Sequence, residues 1–185
     1  MATCRSIVTG GLQLLGVYAG GEDPSDVDVN TGLSALQSTF NGWVNSGMFG
    51  RLTDKYVTAN YTAKEGERIT AATGVTVTLP TTITCWSTTR TPRDLSCIEV
   101  KDDSGLKVYI YDRTGWVQIN NLSLDAECPL STRGERGLHG VIAFETAGDF
   151  NMPVQPNVAR LSSQFRAMLS MKLGSTQDPT PVEYF

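Results

Sequence analysis

The hydrophobic period of this chain changes twice. Over residues 4–45 the apolar residues recur at helical spacing, from about Leu52 to Leu124 they alternate, and after Pro129 the helical spacing returns. A helical pair at either end has an apolar stripe with nothing to cover it within the pair. The simplest arrangement is an α+β fold in which both chain ends build one four-helix body and an antiparallel β domain is inserted between them. The expected parts are an N-terminal helical hairpin over 1–50, the β domain over 51–128, a closing helix pair over 129–174 and an extended arm over 175–185. At 185 residues the chain is long enough for one core with a small insertion.

The spacing predicts a first helix over 4–17, with Ile7, Val8, Gly11, Leu12, Leu14 and Leu15 on one stripe. Gly10 and Gly11 weaken it in isolation by about 1 kcal/mol each, so a Gly pair here predicts close approach by another helix. A second helix runs to about Asn45. Its seam, Val29, Leu33, Leu36, Phe40 and Trp43, steps by four and three residues, which suits one partner helix. Between them lies GGEDPSDVD. Asp23 or Ser25 is the expected cap, Pro24 suits a first turn, and Asp26 and Asp28 favour the positive end of the helix that follows. Four acids, Glu22, Asp23, Asp26 and Asp28, exceed what one helix start needs.

In the middle region GVTVTLPTTITCW is Thr-rich and β-branched, and Pro80 marks an edge strand or a break between strands. CIEVKDDSGLKVYIYDRTGWVQI reads as a three-strand antiparallel meander with turns at Asp102–Gly105 and Asp112–Gly115. After Pro129, Ser131 or Thr132 is the expected cap of a third helix, with Leu138, Val141, Ile142 and Glu145 on one face. Pro156 suits the first turn of a fourth, whose apolar face is Val158, Leu161, Phe165, Met168 and Leu169. STQDPTPVEYF has two prolines and no helical period.

The residues offer little chemistry. The chain has one histidine, His139, which leaves nothing for a His-based metal site or a catalytic triad beyond it. No phosphate loop, dinucleotide fingerprint, GxSxG, HExxH or EF-hand loop is present. Asp102-Asp103 falls in a turn, where Asp is favoured for backbone reasons. The reading is therefore a non-enzyme with no cofactor and no metal. Net charge is −4, and residues 1–50 hold one base, Arg5, against four acids, so nothing global points to nucleic acid or an anionic membrane. Arg90 with Arg93, and Arg133 with Arg136, read as surface or interface charges. Trp43 reads as core, Trp116 is open between core and surface, and Trp86 is the candidate exposed aromatic at a protein contact. No apolar run reaches the length of a membrane span, and MATCRSIVTGG is a poor signal peptide. Folding in a cytoplasm is expected, with Cys4, Cys85, Cys97 and Cys128 as free thiols.

The order of parts carries a resemblance. LQLLGVYAGGEDPSDVD followed by NTGLSALQSTFNGWVNSGMF resembles the head-to-tail adaptor proteins (head-completion or connector proteins) of tailed bacteriophages. Their first helix ends in a Leu-Gly or Ile-Gly pair, an acidic or small elbow with Pro follows, and the second helix has a Leu-x-x-Leu seam with Trp near its end. Here these are Leu15-Gly16, Gly21 to Asp28, Leu33, Leu36 and Trp43. RTPRDLSCIEVKDDSGLKVYIYDRTGWVQINNLSLDAECPLS is similar to the β region of longer members, and GLHGVIAFETAGDFNMPVQPNVARLSSQFRAMLSMKLG to their closing helix pair. His139 and Glu145 stand where small apolar residues are common in the family.

The resemblance implies a structural virion protein at the head–tail junction, assembled in the host cytoplasm. It implies a homo-oligomeric ring, usually of twelve copies, between portal protein and tail proteins, through which packaged DNA passes without sequence-specific binding. The C-terminal segment becomes the candidate portal-binding arm, with Asp178, Pro179, Pro181, Val182, Glu183, Tyr184 and Phe185. The surplus acids Glu22, Asp23, Asp26 and Asp28 become candidates for the lumen or a subunit interface. Other readings stay open: a tail terminator or tube-completion ring, a β module gripping a glycan or host-surface molecule through Trp86, or a peptidoglycan hydrolase, for which no positioned acid can be named.

Overall fold

The computed structural model describes residues 2–18, 22–85, 88–113 and 115–174. Helix α1 spans Cys4–Leu15 and is capped by Thr3, whose hydroxyl accepts from the Ser6 amide at 3.2 Å. Gly16 ends it in the left-handed region (φ 88°), which returns the Gly16 and Val17 amides to the carbonyls of Gln13 and Leu12. This is the chemical reason for a Leu-Gly pair at that point. Helix α2 spans Asp26–Asn45. Ser25 is its cap, and Pro24 therefore lies before the cap and not in the first turn.

The strands are β1 Thr53–Val57, β2 Tyr61–Thr62, β3 Glu67–Ala71, β4 Val77–Thr78, β5 Ile83–Cys85, β6 Thr88–Arg90, β7 Cys97–Asp102, β8 Gly105–Asp112 and β9 Gly115–Gln118. β7, β8 and β9 form the expected meander, in register Cys97 with Ile110 and Ile110 with Val117. Pro80 sits in the break between β4 and β5. The helices that close the chain are α3, Ser131–Thr146, and α4, Pro156–Gly174.

The expectation of an antiparallel β domain inserted into a four-helix body is corrected on two points. The main sheet is mixed. Its order is β1-β3-β7-β8-β9, and β1 with β3, and β3 with β7, run parallel. The chain returns parallel after only residues 58–66, because β2 leaves the sheet and pairs with β4 instead. The helices also do not close a core of their own. One buried cluster joins Ile7 of α1, Leu36, Phe40 and Trp43 of α2, Cys97, Val108 and Ile110 of the sheet, Leu138 and Val141 of α3, and Phe165 and Leu169 of α4. The class is α+β, with the sheet as a wall of the helical core. The seam of α2 thus has several partners where one was expected.

The alternation of β7 and β8 explains how one sheet serves two cores. Cys97, Val108 and Ile110 face the helices, while Ile98, Val100 and Tyr109 face away. On that far side they pack with Val57, Ala63 and Ile69, and with Tyr61, Val77 and Leu79 from the β2–β4 ribbon and its surroundings. Trp116 belongs to this second core. Its ring meets Tyr111 edge-on at 5.3 Å, and its Nε1–H donates to the Pro80 carbonyl at 2.7 Å.

Helix α3 is the central helix, and glycines set its distances. A Cβ on Gly11 would lie 2.6 Å from the Ile142 side chain, and one on Gly10 would lie 2.5 Å from the His139 ring. The predicted close approach of α1 is therefore made to α3. On the other side, Gly137 and Gly140 seat Phe165 and Leu161 of α4. His139, placed against Gly10, has its Nε2 buried with no hydrogen-bond partner among the described residues. Burial lowers its pKa, and Glu135 pulls it partly back up.

A pH dependence follows. The unfolded chain protonates His139 near its ordinary value of about 6.5, and the folded chain only at lower pH. Below about pH 6.5 the unfolded state binds more protons, so the stability held by neutral His139 is whole above that pH and is lost as pH falls toward the folded value. Urea midpoints taken from about pH 7.5 down to about pH 5 will fall faster for the wild type than for His139→Asn. Parallel slopes would remove this role.

Candidate functional site: an acidic corner at the start of α2

The elbow acids separate into one that folds the chain and three that do not. Asp28, at the third position of α2, accepts through Oδ2 from the Ser25 hydroxyl at 2.6 Å and from the Tyr18 hydroxyl. Its own amide donates back to the Ser25 hydroxyl at 3.3 Å. This is a reciprocal cap of the Ser-x-x-acid kind. The Ser25 and Tyr18 hydroxyls hold the carboxyl below its ordinary pKa. Asp28 thus ties the end of the α1 segment to the start of α2, and its role is structural.

Glu22, Asp23 and Asp26 are exposed. Asp26 is 86% exposed at its side chain and lies 3.6 Å from Arg5, itself about half exposed. A pair so wet contributes little. Val27 beside it is 74% exposed, an apolar side chain set among acids.

The fold adds two acids that the sequence did not place here. Thr3 bridges to Glu127, and the amides of Cys4 and Arg5 donate to the carbonyls of Ala126 and Leu124, both at 2.9 Å. These bonds lay the loop 122–127 along the start of α1. Asp125, 94% exposed, then stands 4.0 Å from Arg5, and Glu127 is exposed nearby in the chain. Five exposed carboxylates, from Glu22, Asp23, Asp26, Asp125 and Glu127, are thus set on segments that meet around Arg5. Asp125 and Glu127 were missed because their only signal is a long-range bridge.

The structure places the other expected residues elsewhere or outside its reach. Trp86 and the candidate arm from Asp178 to Phe185 lie outside the described residues. Trp43 is 5% exposed in the main core, against Phe40, Phe49 and Phe165. Asp102 serves its turn by accepting from the Ser104 amide at 3.0 Å and pairing with Lys107 at 2.8 Å.

Arg133 is not a surface charge. Its side chain is 1% exposed and bridges Asp94 and Asp112, with Nη2 2.7 Å from Asp112 Oδ1 and Nη1 2.9 Å from Asp94 Oδ2. Burial opposes its charge, but the two carboxylates outweigh that and raise its pKa. Asp112 also accepts from the amide of Leu130 at 3.1 Å. Leu130 precedes α3 in the left-handed region (φ 65°) with its amide held by Asp112, no side chain caps the helix, and the expected Ser131 or Thr132 cap is not used. Arg90 is likewise engaged, 2.8 Å from Glu65.

A groove of about 410 Å³ runs between α2, α3 and the middle of α4, lined by Ser38, Thr39, Trp43, Glu145, Asp149 and Arg166. Arg166 pairs with Glu145 across it, so Glu145 is an interhelix partner. Among the described residues no three His, Cys, Asp or Glu side chains gather as metal ligands, and no helix is long and apolar enough to cross a membrane. Comparison with known proteins finds no family model and no curated protein that matches this chain.

Proposed function

We propose that the chain is a structural adaptor of a tailed bacteriophage, assembling as a ring between portal and tail and extending the DNA channel. The observation that carries this is the acidic corner. Its exposed carboxylates have Arg5 as their nearby base, and the one elbow acid with a structural task, Asp28, is not among them. Unneutralised carboxylates on a channel wall repel phosphate, so duplex DNA passes without sticking. The sequence resemblance, from Leu15-Gly16 through Trp43, supplies the class. The corner supplies a surface whose charge suits it.

The test separates the corner from the fold. In Glu22→Gln with Asp23→Asn and Asp26→Asn, the Ser25–Asp28 cap stays, and unfolding free energy should move by no more than about 0.5 kcal/mol. Rings assembled from this variant should retain duplex DNA at low salt where wild-type rings release it, and release should return as salt rises. Equal DNA retention by both rings would remove the channel role. Loss of rings with the fold intact would make the corner a contact between subunits.

A further inference from the structure

We propose that residues 175–185 dock, within the same chain, on a bare part of the main sheet. The helix-facing side of that sheet is covered at one end only. Cys97, Val108 and Ile110 lie in the main core, and further along the strands the same side meets water. The register there joins Tyr56 to Thr70, Thr70 to Lys101 and Lys101 to Leu106, one row across β1, β3, β7 and β8. Every member of the row is exposed, Tyr56 by 66% and Leu106 by 50%. The row behind it holds Asp54, Arg68 and Glu99. It borders a cleft of about 290 Å³ lined by Asn41 and Asn45 of α2, Arg68, Glu99, Leu106 and Asn120.

Charge in the rear row is partly matched, since Arg68 lies 3.0 Å from Glu99 and 3.7 Å from Asp54. Lys101 has no ion-pair partner among the described residues. The front row thus ends in two large apolar side chains, Tyr56 and Leu106, with a free ammonium between them. Such a surface calls for a cover that is both apolar and acidic.

Residues 175–185 have that chemistry and start in the right place. STQDPTPVEYF holds Asp178 and Glu183 and no base, with Val182, Tyr184 and Phe185 as its large apolar side chains. Helix α4 ends at Gly174, and its Ser170 lies with Ser46, Gly47 and Met48 around a shallow depression just past the end of α2. Asn45, the last residue of α2, lines the cleft. The segment therefore leaves α4 beside the cleft. Extended at about 3.3 Å per residue it reaches about 35 Å, and the row is only about 15 Å wide at the usual strand spacing. Lys101 and the exposed part of Arg68 take the two carboxylates, and the apolar side chains cover Tyr56 and Leu106. A short covalent tether supplies an effective concentration on the order of millimolar, so even a weak contact closes. The contact lies within one chain and does not rest on the adaptor reading. A docked segment is held back from any other partner until it is released.

Lysine acetylation read by mass spectrometry tests this on the full chain and on a version ending at Gly174. At low salt Lys101 should react about tenfold more slowly in the full chain, the protection given by a contact closed about nine-tenths of the time. Lys64, exposed beside Ala63 of the second core, should react alike in both. The protection of Lys101 should be the same at every protein concentration and should weaken as salt rises. It should be lost in the full chain carrying Asp178→Lys and Glu183→Lys. Equal reaction of Lys101 in the full and shortened chains would overturn the proposal. So would protection that grows with protein concentration, the mark of a second copy on the face.

Discussion

Replacing Arg133 with methionine lowers the unfolding free energy by about 3–5 kcal/mol, the range seen when one member of a buried ion pair is removed. The guanidinium is 1% exposed, and Asp112 beneath it is 7% exposed. Methionine fills much of the space but leaves Asp112 a buried carboxylate whose remaining described partner is the Leu130 amide. The damage spreads because three segments meet there. Asp94 comes from the loop before β7, Asp112 from the end of β8, and Arg133 from the first turn of α3. Asp94→Asn should cost less, since that carboxylate is 38% exposed. Urea unfolding of both variants measures this, with the denaturant slope unchanged. A loss below about 1 kcal/mol for the methionine variant, the worth of a surface pair, would contradict the assignment.

Gly140→Ala should destabilise the fold by about 1–3 kcal/mol, although in a free helix the same change would be worth about 1 kcal/mol in the opposite sense. A Cβ at Gly140 would meet Leu161 Cβ at 2.6 Å and the Ser162 backbone nitrogen at 3.1 Å. Neither is the far end of a flexible chain, so α4 must move away from α3. Gly42, exposed in the last turn of α2, has nothing within 4 Å of that position. Gly42→Ala should therefore stabilise by about 0.5–1 kcal/mol. Thermal or urea unfolding of the two variants should give shifts of opposite sign. Two shifts of the same sign would mean that intrinsic helix preference, and not the α3–α4 distance, governs both positions.

The four helices and the meander were legible because each is written locally. The stripe of α2, the cap at Ser25, the proline opening α4 and the Asp102–Gly105 turn need no information from beyond a few residues. Direction and partner are not local. Alternation in Thr53–Val57 and Glu67–Ala71 predicts strands, and it says nothing about their running parallel with β2 exiled to another ribbon. The seam of α2 is equally apolar against one helix or against helices and a sheet together, which is why a closed helical body was expected and not found. Gly10 and Gly11 announced a close neighbour without naming α3.

The site divides in the same way. That Asp28 stands at the positive end of α2 was readable from its neighbours in the chain, while its bonds to the Ser25 and Tyr18 hydroxyls, which set it apart from the other elbow acids, were not. The contribution of Asp125 depended on a bridge between Thr3 and Glu127 at opposite ends of the intervening domain. Arg133 looked like a surface charge because its carboxylates lie 39 and 21 residues earlier in the chain. The salt bridge inverted the reading of the residue, while the helix it starts stood where the periodicity put it.

The adaptor reading is tested by mixing the purified chain with the portal ring encoded in the same genome and imaging the mixture by electron microscopy. A version ending at Gly174 runs beside it. The proposal predicts a second ring stacked coaxially on the portal's narrow end with the full chain, lost or weakened in the shortened version. Portal rings left bare by both versions would contradict it.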